Sequence, residues 1–339
     1  MNESVLHSAA KAGDDQAARG NAPRPGSSPR VSIGLPVYNG ERYLRLAIDS
    51  LLAQTFTDFE LVISDNASSD ASEAICREYA ARDPRVRYYR NARNIGGSRN
   101  HNRVVELSVG EYFLMGAHDD LREPDYLCSA VEVLDADPSC VICFTRTRWI
   151  DEEGHPLPSR PFDLRVDDPD PVVRFRELIR MDHMLDPTYG LMRATILKRT
   201  PLEGQYADCD RVELAELALY GRFVQLPEVL FSRREHPAQS TKVYRSRHDR
   251  TAWFEPDAPT QLVFPYFRQL REYVVAILRV PQPAAVRLRC LQAMAEWTWK
   301  QRSQLWEDLQ DGAFSIARGI IPRSMRRWLR SVLRGPQSV

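Results

Sequence analysis

The stretch Val31–Asn39, VSIGLPVYN, constrains the fold of this chain more than any other. A β-branched, apolar run stops at Pro36, and Asn39-Gly40 then opens an amphipathic segment, Glu41–Gln54. Leu44, Ala47, Ile48, Leu51 and Leu52 fall there at helical spacing, which predicts strand, short turn, helix. Phe59–Ser64 repeats the strand and stops at Asp65; Tyr112–Met115 does so again and stops at His118-Asp119-Asp120. Acids placed just after short strands that alternate with helices describe one edge of a parallel sheet. That edge is where α/β folds collect ligands, so the pattern sets the expectation of a charged nucleotide held there.

The rest of the chain is read on the same signals. Asp70 with Glu73 three residues on predicts a capping box ahead of a helix that Asp83-Pro84 ends. A strand is expected at 86–89, a turn at Asn94-Ile95-Gly96-Gly97-Ser98, helices at 98–108 and from Pro124 to Leu134, and a strand at 140–145. RTRWIDEEG after it reads as the returning arm of a hairpin with Asp151–Gly154 at the tip. Residues 155–171 read as loop, 171–181 and 211–220 as helices, and 223–226 and 229–231 as two short strands. Beyond 257 the pattern is helical: about 260–279, 283–309 and 322–334, separated by Pro281, Pro283 and Pro322.

Composition narrows the class. A chain of 339 residues allows about two domains, or one with an appendage, and a net charge of +0 offers no footprint for nucleic acid. Cys140 and Cys143, the close pair among six cysteines, sit inside the apolar run SCVICF, where burial explains them better than zinc; free thiols are expected. No apolar run approaches the roughly 18 residues of a membrane span, and the N-terminus shows no secretory h-region. Residues 1–29, rich in Ala, Gly, Asp, Pro and Ser, read as a disordered tail.

Taken alone, the candidate sites leave alternatives open. Asp65 could cap a turn or accept hydrogen bonds from a base or ribose. Gly96-Gly97 lacks the spacing of a dinucleotide fingerprint, and no phosphate-binding G-x-x-x-x-G-K-[ST] loop is present. Asp119 and Asp120 repel one another unless solvated, capped or neutralised by a cation, and oxygen ligands suit Mn²⁺ or Mg²⁺. His118 before them is equally a turn residue or a ligand.

Five segments together carry a resemblance: LPVYNGERYL, LVISDNASSDAS, NARNIGGSRNHN, GEYFLMGAHDDLREPDYL and CDRVELAELALYGRFVQLPEVLFSRREHPAQST. In this order over about 31–241 they resemble a family 2 glycosyltransferase with the GT-A fold. The resemblance implies that Pro36, Val37, Tyr38 and Glu41 line the base and ribose, with Asp65 accepting from the base. It implies that Asn94, Gly96 and Asn102 of the Gly-turn, with His118, belong to the donor site. Asp119 is implied as the Mn²⁺ or Mg²⁺ carboxylate, Asp120 as its support, His236 as a metal or diphosphate contact and Arg234 as diphosphate charge. The family's D-x-D-D turn begins here with Ala117, and its Arg-Asn pair reads His101-Asn102. Its second acidic motif matches Cys209-Asp210, making Asp210 the implied general base, with Asp208 as the fallback. Read without the resemblance, Asp210 would be a helix N-cap with Glu213 at N3.

The expectation is therefore an α/β GT-A domain at 30–241, after the tail at 1–29, with a helical C-terminal region at 242–339. Its activity would be inverting transfer of a sugar from a nucleotide diphosphate sugar, uridine-linked, to an acceptor hydroxyl, in the cytoplasm. The alternative is a catalytically degenerate domain serving as a carbohydrate-binding or scaffold module, which Ala117 favours. The C-terminal segment PRSMRRWLRSVLR separates an apolar face from an arginine face. It reads either as ordinary packing or as a helix lying on the anionic inner face of a membrane.

Overall fold

Four parallel strands form the half that carries the nucleotide motifs: β1 (Val31–Val37), β2 (Phe59–Asp65), β3 (Val86–Arg90) and β4 (Tyr112–Met115). The computed structural model describes residues 28–160, 162–244, 250, 253–254 and 264–320. The tail expected at 1–29 falls almost wholly outside them, and the helix expected at 322–334 entirely. With β5 (Leu121–Arg122), β6 (Cys140–Ile150), β7 (Leu191–Arg193) and β8 (Arg222–Arg234), the strands build one mixed sheet in the order β3-β2-β1-β4-β7-β6-β8-β5. β7 runs antiparallel to both β4 and β6, which reverses the sheet where the two halves meet.

Strand alternation divides the core into two faces. Tyr112 and Leu114 of β4 join the cluster with Leu44, Ile48 and Leu51 of helix Glu41–Leu52 and with Leu127, Ala130 and Leu134 of helix Tyr126–Ala136. Phe113 and Met115 face the opposite cluster, formed by helices Gly97–Leu107, Pro171–Leu178 and Cys209–Tyr220. The C-terminal helices Pro265–Arg279 and Ala284–Lys300 join this second core through Tyr273, Ile277, Cys290, Met294 and Trp297. All six cysteines are free, and Cys140 and Cys143 are buried in the sheet.

Several boundaries differ from expectation for physical reasons. The expected hairpin at 140–154 is displaced: β6 runs on from Cys140 to Ile150 beside β8, and the chain doubles back only after Asp151–Gly154, where Ile150 bridges Pro156. β8 likewise merges two expected strands. Pro227, which has no amide to donate, falls in a bulge where Leu226 and Val229 face the adjacent Thr145 and Arg146. The helix expected at 283–309 breaks at Gln301, and a new one begins at Arg302. Pro124 stands outside the helix it was expected to start.

The capping box at Asp70 also has a different partner. Asp70 Oδ1 accepts from Ser72 N (3.0 Å) and its Oδ2 from Glu41 N (3.0 Å), while Glu41 Oε2 accepts from Ala71 N (2.8 Å). The reciprocal carboxylate therefore comes from the neighbouring helix, and Glu73 pairs with Arg77 instead. Since Asp70 caps two helix starts, Asp70→Ala is expected to cost about 1–2 kcal/mol. Urea denaturation checks this, and an unchanged midpoint would contradict it.

Candidate functional site

The carboxyl ends of the parallel strands place the predicted residues side by side. Val37 is in register with Asp65, and Asp65 with Arg90. Asp65 is fully buried and takes three donors: Ser68 N at Oδ1 (2.8 Å), and Tyr88 Oη (2.9 Å) with the Arg90 guanidinium at Oδ2. These bonds use three of the four lone pairs a carboxylate offers. Next to it Tyr38 exposes 41% of its surface, an open ring at the strand end.

The loops around this end are held by side-chain amides. Val37 O accepts from Asn66 N (2.8 Å), and the Asn66 side chain reaches across to the Gly-turn, donating to Asn94 Oδ1 (2.8 Å) and accepting from Ile95 N (2.9 Å). Asn94 Oδ1 also accepts from Gly96 N, and Gly96 takes φ 92°, a conformation glycine adopts without strain. Asn39 and Ala67 adopt positive φ without being glycine, and both sit in these loops, where strain marks functional positions. Gly40 has no side chain because the His118 ring approaches it: an added Cβ would stand 2.6 Å from His118 Cδ2. His118 thus faces the first turn.

Three expected ligand contacts are instead committed to the scaffold. The Glu41 carboxylate holds the loop at Ala71, as described above. Asn102 clasps the main chain of Glu203, donating from Nδ2 to Glu203 O (2.8 Å) and accepting from Glu203 N (3.0 Å). Arg234, 2% exposed, donates to three carbonyls, those of Asp119 (3.0 Å), Asp151 (3.0 Å) and Glu152 (3.1 Å). A guanidinium used in this way pins the acidic turn to the end of β6. Its neighbour Arg233 points to the other side of β8, as strand alternation requires. The Arg233 guanidinium lies over the rings of Trp149 and Tyr189 (5.1 and 5.5 Å), and its Nη1 stands 3.9 Å from Asp186 Oδ1, an ion pair too long for a hydrogen bond. Asp120, Asp186 and Asp119 hold it charged against burial.

The acidic turn itself meets His236, whose Nε2 lies 2.9 Å from Asp119 Oδ2. That is a hydrogen-bond distance, and the same carboxylate oxygen and ring nitrogen are donor types that could hold Mn²⁺ or Mg²⁺. Asp120, 7% exposed, accepts from Arg234 N at Oδ1 (2.9 Å). Burial, then the charge of Asp119, push it up to about 7. The His236 ring packs on Tyr43 (5.0 Å between centroids), as does the Arg234 guanidinium (4.5 Å).

Asp210 comes from a distant segment. Its helix starts at Cys209, and the N-cap is Asp208, in a left-handed conformation with φ 64°. Asp210 therefore lies in the first turn, and its carboxylate accepts from the adjacent Arg211 N (2.9 Å) without capping the helix. Burial, then Glu203 and Asp208, raise it to about 7. Glu203 is buried and lies 2.9 Å from His101 Nδ1, so the His101-Asn102 pair fixes the loop that leads to Asp210.

Tyr189 feels the charge of both acidic places. Burial raises its phenol, Arg233 opposes this, and the charges of Asp120, Asp119 and Asp210 all add to it. Tyr43, Tyr189, Glu203 and Arg233 take no part in the expected set of site residues. Arg233, in the closing segment with Arg234 and His236, and Tyr43, in LPVYNGERYL, lie inside the resembling segments; Tyr189 and Glu203 carry no such signal.

The comparisons with known proteins follow this geometry. The profile of Glycosyl transferase family 2 matches residues 32–200. An uncharacterized glycosyltransferase of Rickettsia typhi is 36% identical over 131 residues, which cover 38% of this chain and 40% of that protein. The first curated relatives are matched over 14–59% of their own length, less than two thirds in each case. Among solved structures, Staphylococcus aureus TarS 1–349 in complex with UDP-GlcNAc superposes with a TM-score of 0.61 at 18% identity, covering 84% of this chain and 81% of that one. The mannosyltransferase PcManGT of Pyrobaculum calidifontis, in complex with GDP-Man and Mn²⁺, gives 0.53 at 18% identity, covering 97% and 88%. These likenesses show the GT-A fold, and with the profile match over the strands and turns described above, the chain belongs to glycosyl transferase family 2.

Proposed function

We propose that this protein is an inverting glycosyltransferase that moves a sugar from a nucleotide diphosphate sugar, uridine-linked, to an acceptor hydroxyl. The observation that carries the reading is the acidic turn after β4, where Asp119 meets His236 at 2.9 Å and Asp120 accepts from Arg234 N, with Asp210 raised to about 7 on a separate segment. The donor half is residues 31–120 and the acceptor half 121–241, with the base taken by Asp65 and Tyr38 beside Pro36 and Val37. Asp119 and His236 would hold Mn²⁺ or Mg²⁺, which when bound supplies a Lewis acid for the diphosphate oxygens. Arg233 receives the remaining charge of the departing diphosphate in place of Arg234. Asp210, poised near neutrality, removes the acceptor proton as the hydroxyl oxygen attacks the anomeric carbon. With one base and no candidate covalent nucleophile, the displacement is single and configuration inverts. Cytoplasmic location accompanies this reading, since nucleotide sugars and free thiols both suit a reducing compartment.

The test is a donor panel. Purified protein with Mn²⁺ is incubated with uridine-, guanosine- and adenosine-diphosphate sugars, and released nucleoside diphosphate is measured with and without acceptor sugars. A uridine-linked donor is expected to turn over. If no donor binds or reacts while a carbohydrate still binds, the domain is a non-catalytic module.

A further inference from the structure

Over residues 302–311, the helix Arg302–Ile320 is anchored on one side and exposed on the other. Asp308, 1% exposed, caps helix Pro265–Arg279: its Oδ2 accepts from Tyr266 N (2.7 Å) and Phe267 N (3.2 Å). With that carboxylate turned inward, Trp306 and Leu309 face outward, 61% and 46% exposed, beside Trp299 at 70%. Together with Arg302 and Leu305 they line a shallow groove of ≈ 320 Å³. Two tryptophans so exposed on adjacent helices form a contiguous apolar surface, which a soluble domain keeps only for a partner.

Charge identifies that partner. Residues 312–339, which follow directly on this surface, contain six arginines and no acid, whereas the chain as a whole has a net charge of +0. The surplus of +6 in this stretch is balanced by −6 in the remainder, so the two signs are segregated along the chain. We propose that Trp299, Trp306 and Leu309, with the arginine-rich segment after them, dock the protein on an anionic lipid surface. Indoles settle at headgroup depth, where their apolar faces leave water and their N–H groups stay hydrated, and guanidinium groups pair with lipid phosphates. The surface is remote in sequence from Asp119, Asp210 and His236, so docking is separable from turnover.

Cosedimentation of the full chain with phosphatidylcholine vesicles, with and without phosphatidylglycerol, tests this. Binding to the anionic vesicles is expected in low salt, with about tenfold less on neutral vesicles and at roughly 0.5 M salt, where the attraction is screened. The double variant Trp299→Ser/Trp306→Ser should bind anionic vesicles about tenfold less at low salt, with an unchanged circular dichroism spectrum. Arg326→Gln/Arg327→Gln/Arg330→Gln should remove most of the salt-sensitive part. Protein that stays in the supernatant overturns the proposal, as does binding that neither variant alters. A dimer in sedimentation equilibrium that the tryptophan variant dissolves would also overturn it, assigning the surface to a second copy of the chain.

Discussion

Asp119→Asn is expected to remove cation-dependent donor binding and to lower turnover by about 10³-fold, the scale of losing metal stabilisation of a leaving diphosphate. The carboxamide keeps the shape of the side chain but loses the charge that holds a divalent ion next to His236 Nε2, 2.9 Å away. Calorimetry with Mn²⁺ and nucleoside diphosphate reads the loss independently of activity. Cation affinity equal to that of the unaltered protein would place the metal elsewhere. Asp120→Asn should be milder. Asp120 serves the turn through the bond its Oδ1 accepts from Arg234 N, and a carboxamide oxygen still accepts it.

The second large effect is at Asp210. Asp210→Asn is expected to leave donor affinity unchanged and to reduce kcat by about 10²–10⁴-fold, the range for losing general-base help. In the unaltered protein the base acts when deprotonated, so kcat should fall as pH drops below about 7, the value to which burial, Glu203 and Asp208 raise Asp210. Stability should move the other way. Above about pH 4 the unfolded chain has ionised Asp210 while the folded protein still holds the proton, so folding loses stability as pH rises towards about 7. Asp210→Asn removes this penalty. The variant should therefore gain stability over the unaltered protein at about pH 8 relative to about pH 4, as read by urea midpoints. A folded variant with unchanged kcat would remove Asp210 from the mechanism. A gain independent of pH would contradict the burial argument.

Periodicity and turn chemistry were legible wherever a decision depended on neighbours in sequence. β1 with helix Glu41–Leu52, β2 ending at Asp65, and β4 followed by the acidic turn all follow from residues within one or two turns of each other. Strand pairing is not legible in this way. Whether 140–150 turns back or runs on depends on β8, some eighty residues away, and the bulge at Pro227 keeps as one strand what the proline splits in the pattern. The Asp70 box failed for the same reason. The carboxylate that accepts from Ala71 N is Glu41, the first residue of another helix, and not Glu73.

The candidate site divides along the same line. By itself the sequence determined which residue types end each strand, because alternation and helical spacing are local consequences of backbone geometry, and with them the fold class and the acids Asp65, Asp119, Asp120 and Asp210. Only the tertiary structure decided how each polar side chain is used. It turned Arg234, Asn102 and Glu41 into fasteners, set Arg233 3.9 Å from Asp186, and put Asp210 under the charges of Glu203 and Asp208. A buried polar group must find a partner, and that partner is chosen by whichever chain segment packs against it. Spacing along the sequence carries no record of that contact.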